Sequence, residues 1–335
     1  MAFRHFLVGE SEVGQEQRMT EPFVRPDVRQ FLDFLNNLPG PKGYEAGPDM
    51  ARQMMVQGRY ALDAPAREIA VIREIAGGPG PMRLYDAREE RGPGPVMLFI
   101  HGGGWVIGDL ETHEPLCIDL AIELDVPVVS VDYRLAPEFP FPAAFEDSVA
   151  SARWLASNPA ELGRQATGLF PAGDSAGGNL AAAVTVALRD DPAAVPVVGQ
   201  WLIYPAADPK IKYPSYDQFS EGHLLEKASM DWFEECYAGP DGDWRYSPLL
   251  RGAAGLPPTF VMTAGLDPIR DQGRAYAAAC IQAGVETAYW EAEGTIHGFL
   301  NVRKAVPSAN DDLARCIDQL KPMIERARQF AYSAT

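Results

Sequence analysis

Within this chain, the run Leu169-Phe170-Pro171-Ala172-Gly173-Asp174-Ser175-Ala176-Gly177-Gly178-Asn179 leaves the backbone the fewest choices. It starts as the end of an apolar segment and passes directly into an alanine-rich stretch, Leu180 to Leu188, of helical character. The five residues Gly173 to Gly177 read Gly-x-Ser-x-Gly, the mark of a strained strand-to-helix turn that raises a serine hydroxyl above a sheet. So tight a turn tolerates little bulk on either side of the serine, hence the two glycines. The helix that follows aims its free N–H groups and the positive end of its dipole at the same point. Five common letters alone equally suit an ordinary strand–turn–helix junction, so the rest of the chain has to decide between the two.

The surroundings predict an α/β protein. Pro95 to Ile100 and Val126 to Val131 are continuous apolar runs, as expected of central strands covered on both faces. Further strands are expected at 197–204, 259–264 and 286–291, and an opening hairpin at 67–76 and 82–87. Helical stretches at 112–124, 143–157, 179–189, 272–283 and 311–330 lie between and after the strands. This alternation means a mostly parallel sheet flanked by helices. Two regions stand outside it. Residues 1–24 are mixed in character, with a mobile start expected. Pro26 to Leu38 then carries an apolar stripe (Val28, Phe31, Leu32, Leu35, Leu38), and a short helix is expected at 49–57. The stretch from Tyr204 to Thr259 is longer than an ordinary connection, with short helices expected around Leu224-Leu225 and Met230 to Phe233. Both regions are apolar beyond what water tolerates. The expectation is that they form one cap above Ser175. The corresponding domain boundaries are 1–50 and 208–244 for the cap, and 51–207 and 245–335 for the catalytic domain.

In an open parallel sheet, ligands bind beyond the carboxyl ends of the strands. Three reactive residues are predicted there: Ser175, then Asp267 in Gly265-Leu266-Asp267-Pro268, then His297 in Ile296-His297-Gly298-Phe299. Serine needs an adjacent base to act as a nucleophile. Histidine supplies that base, and a carboxylate fixes its tautomer. Asp271 competes with Asp267 for the acid but falls a turn into the next helix. Of five histidines, only His297 follows a strand after the serine; His5, His101 and His113 precede it and His223 lies in the insertion. The glycine triplet in His101-Gly102-Gly103-Gly104-Trp105 lets backbone N–H groups approach a substrate. With the Ala176 N–H it would form an oxyanion hole. A flexible turn is the plainer alternative.

Taken in order, His101 to Trp105, Tyr133-Arg134-Leu135-Ala136-Pro137-Glu138, Phe141-Pro142-Ala143-Ala144, Gly173 to Gly178, Asp267-Pro268-Ile269-Arg270-Asp271 and His297-Gly298-Phe299 resemble the motifs of the bacterial hormone-sensitive-lipase-like family of α/β-hydrolase esterases. The resemblance runs from about Pro95 to Phe299, and Asp174 puts the chain with the members carrying aspartate at that position. It implies an α/β-hydrolase fold with a helical cap. The implied triad is Ser175, Asp267 and His297, and the implied oxyanion donors are Gly103, Gly104 and Ala176. The implied activity is hydrolysis of short- to medium-chain acyl esters without metal or organic cofactor. The family often dimerises through its last edge strand, here Thr287 to Glu291. The segment Tyr133 to Glu138 reads as scaffold, its arginine and glutamate pairing. Trp105, Tyr204 and Phe299 are candidates for the pocket wall, with core packing as the alternative for each. Two other functions share these groups: an amidase or arylacetamide-type deacetylase, and a small-molecule receptor of the kind found in plants for gibberellin. Those receptors have lost the histidine that this chain keeps at position 297.

A formal net charge of −17 argues against nucleic acid or an anionic membrane as partner, and the resemblance implies a small-molecule ester as substrate. The four cysteines are far apart and outside any Cys-x-x-Cys spacing, which predicts no zinc site and no disulfide framework. The absence of a long apolar segment in the first ten residues predicts no signal peptide. Together these point to the cytoplasm.

Overall fold

The computed structural model describes residues 22–333; the expectations for residues 1–21 lie outside them. Eight strands form one sheet. β1 (Val71–Ile75) and β2 (Met82–Asp86) are an antiparallel hairpin at one edge. β2 also runs antiparallel to its other neighbour, β4 (Val128–Val131). From β4 onward the sheet is parallel: β4, β3 (Gly94–Ile100), β5 (Ala166–Asp174), β6 (Gln200–Ile203), β7 (Thr259–Leu266) and β8 (Thr287–Ile296). Alternate residues of β3 explain the unbroken apolar run: Val96, Leu98 and Ile100 face one core, Met97 and Phe99 the other. The first core is closed by α5 (Ala143–Ala156), α6 (Ala176–Asp190) and α9 (Arg270–Gln282). The second is closed by α4 (Glu114–Glu123) and α10 (Ala309–Ser333).

Five further α-helices lie outside these layers: α1 (Pro26–Asn36), α2 (Gly43–Ala46), α3 (Pro48–Leu62), and α7 (Pro214–Gln218) and α8 (Lys227–Tyr237) in the insertion after β6. Their placement corrects the expected cap in three respects. First, α1 does not cover Ser175. Its buried face, Val28, Phe31 and Leu32, joins the core on the α4 and α10 side. Arg25 pairs with Asp312 at 2.5 Å and Asp27 accepts the Ser308 N–H at 2.8 Å, which fastens α1 to the start of α10. Second, α3 runs to Leu62, so a boundary at residue 50 cuts through a helix that covers the site. Third, Leu224-Leu225 is not helical; Leu224 has φ 70° in a bend ahead of α8.

Arg52 ties α3 to what lies beneath. It donates to the Val106 and Ala136 carbonyls, both at 2.9 Å, and pairs with Glu138 at 2.6 Å. Arg134 pairs instead with Asp147 at 2.8 Å. The expected pairing of Arg134 with Glu138 is therefore replaced by two separate ion pairs, one of which anchors a helix of the cover. Among the described residues no helix is long and apolar enough to cross a membrane.

Candidate active site

Ser175 lies between the end of β5 and the start of α6, at φ 57° and ψ −118°, a left-handed conformation that costs a non-glycine residue about 1–3 kcal/mol. Its glycine neighbours are there for space. A Cβ on Gly173 would strike the carbonyls of Gly177 and Ile100, and one on Gly177 would strike those of Ile100 and His101. Asp267 directly follows β7 and His297 directly follows β8. His297 Nε2 lies 2.8 Å from Ser175 Oγ, and His297 Nδ1 lies 2.8 Å from Asp267 Oδ2. The other carboxylate oxygen, Asp267 Oδ1, accepts the Ile269 N–H at 2.8 Å, which fixes the group at the turn into α9. Asp267 and His297 are buried. Asp271 is engaged elsewhere: it accepts the Ser215 N–H at 3.0 Å and pairs with Arg270 and Arg274, holding the start of α7 against α9.

Gly102 to Gly104 follow β3 and turn beside Ser175, Gly103 at φ 115° and Gly104 at φ 58°. The N–H groups of Gly103, Gly104 and Ala176 are not taken up by any backbone acceptor among the described residues. Under this loop lie groups that sequence reasoning missed. Asp174, buried, accepts the Gly102 N–H at 2.7 Å and the Asn301 side-chain amide at 3.1 Å, and faces His113 Nε2 at 3.1 Å. Burial alone would push this carboxyl up; the charge and hydrogen bond of His113 outweigh it and hold the carboxyl below its ordinary range. Burial would likewise push His113 down, and the charge of Asp174 instead holds it above its ordinary value. His101 behaves in the opposite way: burial, reinforced by the charge of His113, pushes it down to about 4. It stays neutral, its Nδ1 against the Gly102 carbonyl at 2.8 Å and its ring stacked on Tyr133 at 4.3 Å. No spacing rule points to His113 or Asn301. The one signal in the sequence is a charged residue, Asp174, on a strand whose other residues must be buried.

A cavity of about 360 Å³ opens above Ser175 and His297. Its walls are mainly apolar: Met54, Met55 and Leu62 from α3, and Leu224, Trp232 and Phe233 from the insertion. Of the three pocket candidates, Trp105 borders a smaller hollow on the other side of Ser175. Tyr204 and Phe299 border neither. They pack behind the His297 ring, Tyr204 at 4.7 Å from His297 and 5.7 Å from Phe299, so the core-packing alternative describes them.

Comparison with known proteins agrees with this geometry. A family model described as alpha/beta hydrolase fold matches residues 97–301. Carboxylesterase NlhH of Mycobacterium tuberculosis is 37% identical over 319 residues, covering 90% of this chain and 98% of the relative. The chain belongs to the hormone-sensitive-lipase-like family of α/β-hydrolase esterases. The ethyl acetate hydrolase of Pseudomonas putida, another relative, is 34% identical, covering 89% of this chain and 98% of that one. Among solved structures, an ester hydrolase from the Lake Arreo metagenome, in complex with a bipyridine phosphonate derivative, superposes with a TM-score of 0.80. It is 40% identical and covers 88% of this chain and 98% of that one. A thermostable esterase from Pseudomonas putida ECU1011 gives a TM-score of 0.84 at 30% identity, covering 91% of this chain and 99% of that one. The family's fold is thus the fold described above, with the motif residues gathered at the carboxyl end of its sheet.

Proposed function

We propose that the protein is a serine carboxylesterase that hydrolyses short- to medium-chain acyl esters through an acyl-enzyme. The observation that carries this reading is the unbroken chain from Ser175 Oγ through His297 to Asp267, both links 2.8 Å, at the floor of an apolar cavity. As Ser175 Oγ attacks the ester carbonyl, His297 Nε2 takes its proton. Asp267 holds the ring by Nδ1–H and stabilises the imidazolium that forms. The N–H groups of Gly103, Gly104 and Ala176 receive the oxyanion. The alcohol departs with the proton from His297. Water, giving its proton to the same nitrogen, then attacks the acyl carbon, and Ser175 leaves with that proton. The names of the relatives, carboxylesterase and ethyl acetate hydrolase, support the same class of reaction.

The cap in this reading consists of α2, α3 and the insertion of residues 208–244. It excludes water from the acyl-enzyme and shapes the substrate site. Four free cysteines, three of them buried, favour a cytoplasmic setting. The outer edge of β8 is the proposed contact with a second copy of the chain, which sedimentation would test. The reaction itself is tested by titration with a fluorophosphonate followed by mass spectrometry. One phosphonyl adduct per chain on Ser175, with matching loss of ester hydrolysis, is expected. Hydrolysis that survives without an adduct on Ser175 would sink the proposal.

A further inference from the structure

Ser175 stands between two hollows of unequal size. The larger holds about 360 Å³ and the smaller about 60 Å³. Gly104, Ser175, Leu225 and Phe233 border both, so the side chains of Leu225 and Phe233 form the partition. Phe233 lies so close over the oxyanion loop that a Cβ on Gly104 would collide with its ring. His297 and Gly103 border only the larger hollow, and Ala176 and Trp105 only the smaller.

From this we infer that the leaving alcohol occupies the large hollow and the acyl chain the small one, so that the preferred substrates are esters of short acids with bulky apolar alcohols. The inference rests on the serine-esterase reading above. When Oγ bonds to the carbonyl carbon, that carbon carries four groups: Oγ, the oxyanion, the acyl carbon and the alkoxy oxygen. The oxyanion points at the backbone donors. The alkoxy oxygen must take the proton that His297 Nε2 received from Ser175, because its bond to carbon breaks as that proton arrives. It therefore lies on the His297 side, which opens only to the large hollow. The acyl carbon is left facing Ala176 and Trp105.

Size makes this assignment selective. At about 10–15 Å³ for each water-sized body, the small hollow takes about four to six heavy atoms and the large one about two dozen or more. The wall of the small hollow beside Ala176 is stiff, although Met230 and Lys212 border it elsewhere. Trp105 stacks on Tyr237 with centroids 4.6 Å apart and planes 3° apart, and Tyr246 is buried against both. The walls of the large hollow include Met54 and Met55, whose unbranched side chains adapt to varied shapes.

Decyl acetate and ethyl decanoate separate the possibilities, because the two isomers have the same atoms and differ in which side of the ester carries the long chain, and the nine carbons of a decanoyl chain beyond the carbonyl exceed what the small hollow holds. The native protein should favour decyl acetate in kcat/KM by at least about tenfold, the scale on which misfit of a few methylenes discriminates. Phe233→Ala, which opens the partition, should bring the ratio toward one; Leu225→Ala serves the same purpose if the first variant does not fold, and fluorophosphonate labelling of Ser175 reports folding in either. An equal or reversed preference in the native protein, with hydrolysis abolished in Ser175→Ala, would overturn the pocket assignment and leave the esterase reading standing. Hydrolysis of neither ester, with no adduct on Ser175, would overturn the esterase reading and the assignment with it.

Discussion

Helices α3 and α6 have the same length, fifteen residues, and lie on opposite sides of Ser175. In α6, twelve of those residues are buried; in α3 only Ala51 is, and in α8 only Tyr237. Polar groups differ in the same way. Beneath the serine, Asn179 donates to the Ala206 and Tyr246 carbonyls at 2.7 Å, and Asp174 holds three partners. Above it, Met50 and Met54 are exposed and the main polar strut is Arg52. Few buried contacts mean a low cost of local opening, so the cover is the part of the molecule suited to admit substrate. The floor, by contrast, is held in one arrangement before any ligand arrives, which is what electrostatic stabilisation of a transition state requires.

The largest break in this contrast should come from the floor. Ser175→Ala and His297→Ala should each lower kcat by about 10⁶-fold, and the double variant should be no slower than the worse single one, because the two groups act as a unit. Thermal melting of Ser175→Ala should match the native protein or exceed it. Steady-state kinetics on the three variants checks this, and multiplying losses would show independent roles.

Next in size is the acid. Asp267→Asn should lower kcat by about 10⁴-fold if it fixes the histidine tautomer as the triad aspartate of the serine proteases does. Asp271→Asn should cost less than about tenfold and act mainly by loosening α7, since its partners are Ser215 and two arginines. A reversed order of the two would move the acid to Asp271.

Asp174→Asn sharpens the contrast from below. It leaves the His113 ring without its counter-charge, and breaking a buried pair costs about 3–5 kcal/mol. Asp174 also holds the Gly102 N–H and Asn301, the one in the glycine loop after β3 and the other just past His297. kcat should therefore fall by about 10²-fold, more than KM rises, as expected when reacting groups are displaced by a fraction of an ångström. Urea unfolding and kinetics on the same preparation test both halves. A full stability loss with unchanged kcat would make Asp174 a structural residue only.

The smallest effects concern pH, and they run in opposite directions for two buried histidines. His101 is pushed down to about 4 from an unfolded value near 6.5. Its contribution to stability is present above 6.5 and is lost as pH falls from there toward 4, by at most about 1.4 kcal/mol per pH unit. His113 is held above its ordinary value, so its contribution is present below 6.5 and is lost as pH rises through the folded value. The gap in Tm between the native protein and His101→Asn should thus narrow on acidification, and the gap to His113→Asn should narrow on alkalinisation. Parallel curves would mean that neither ring titrates with folding.

The same division governs how much could be read from the amino-acid letters. That Ser175, Asp267 and His297 come together was legible because backbone geometry forces their surroundings: glycines where a Cβ would hit a carbonyl, and strands that end one residue earlier. The sheet was legible because both faces of β3 to β7 are buried and leave unbroken apolar runs. The stripe on α1 showed that the helix must dock, but an apolar face carries no address, and its partner proved to be the core beside α10. Arg134 and Glu138 sit four residues apart and looked like a pair; their real partners, Asp147 and Arg52, come from helices whose approach depends on the whole fold. Phe299 lies two residues past His297 and Tyr204 at the carboxyl end of β6, positions where site residues are expected, yet both pack behind the His297 ring, a distinction set by side-chain direction.

The left-handed serine carries a consequence for how such a chain can change. Ser175 is held at φ 57° between two positions where any side chain meets backbone, and backbone has no rotamer to yield. A library of random variants would accordingly divide by place: at 173, 175 and 177 no exchange has a neutral neighbour, so these sites offer lineages no stepping stones. Leu224, Leu225, Trp232 and Met54 and Met55 of α3 border open space instead, where a side chain can grow or shrink one group at a time. New substrate preferences are reachable by small steps through the cover, while the reaction itself stays fixed at the turn.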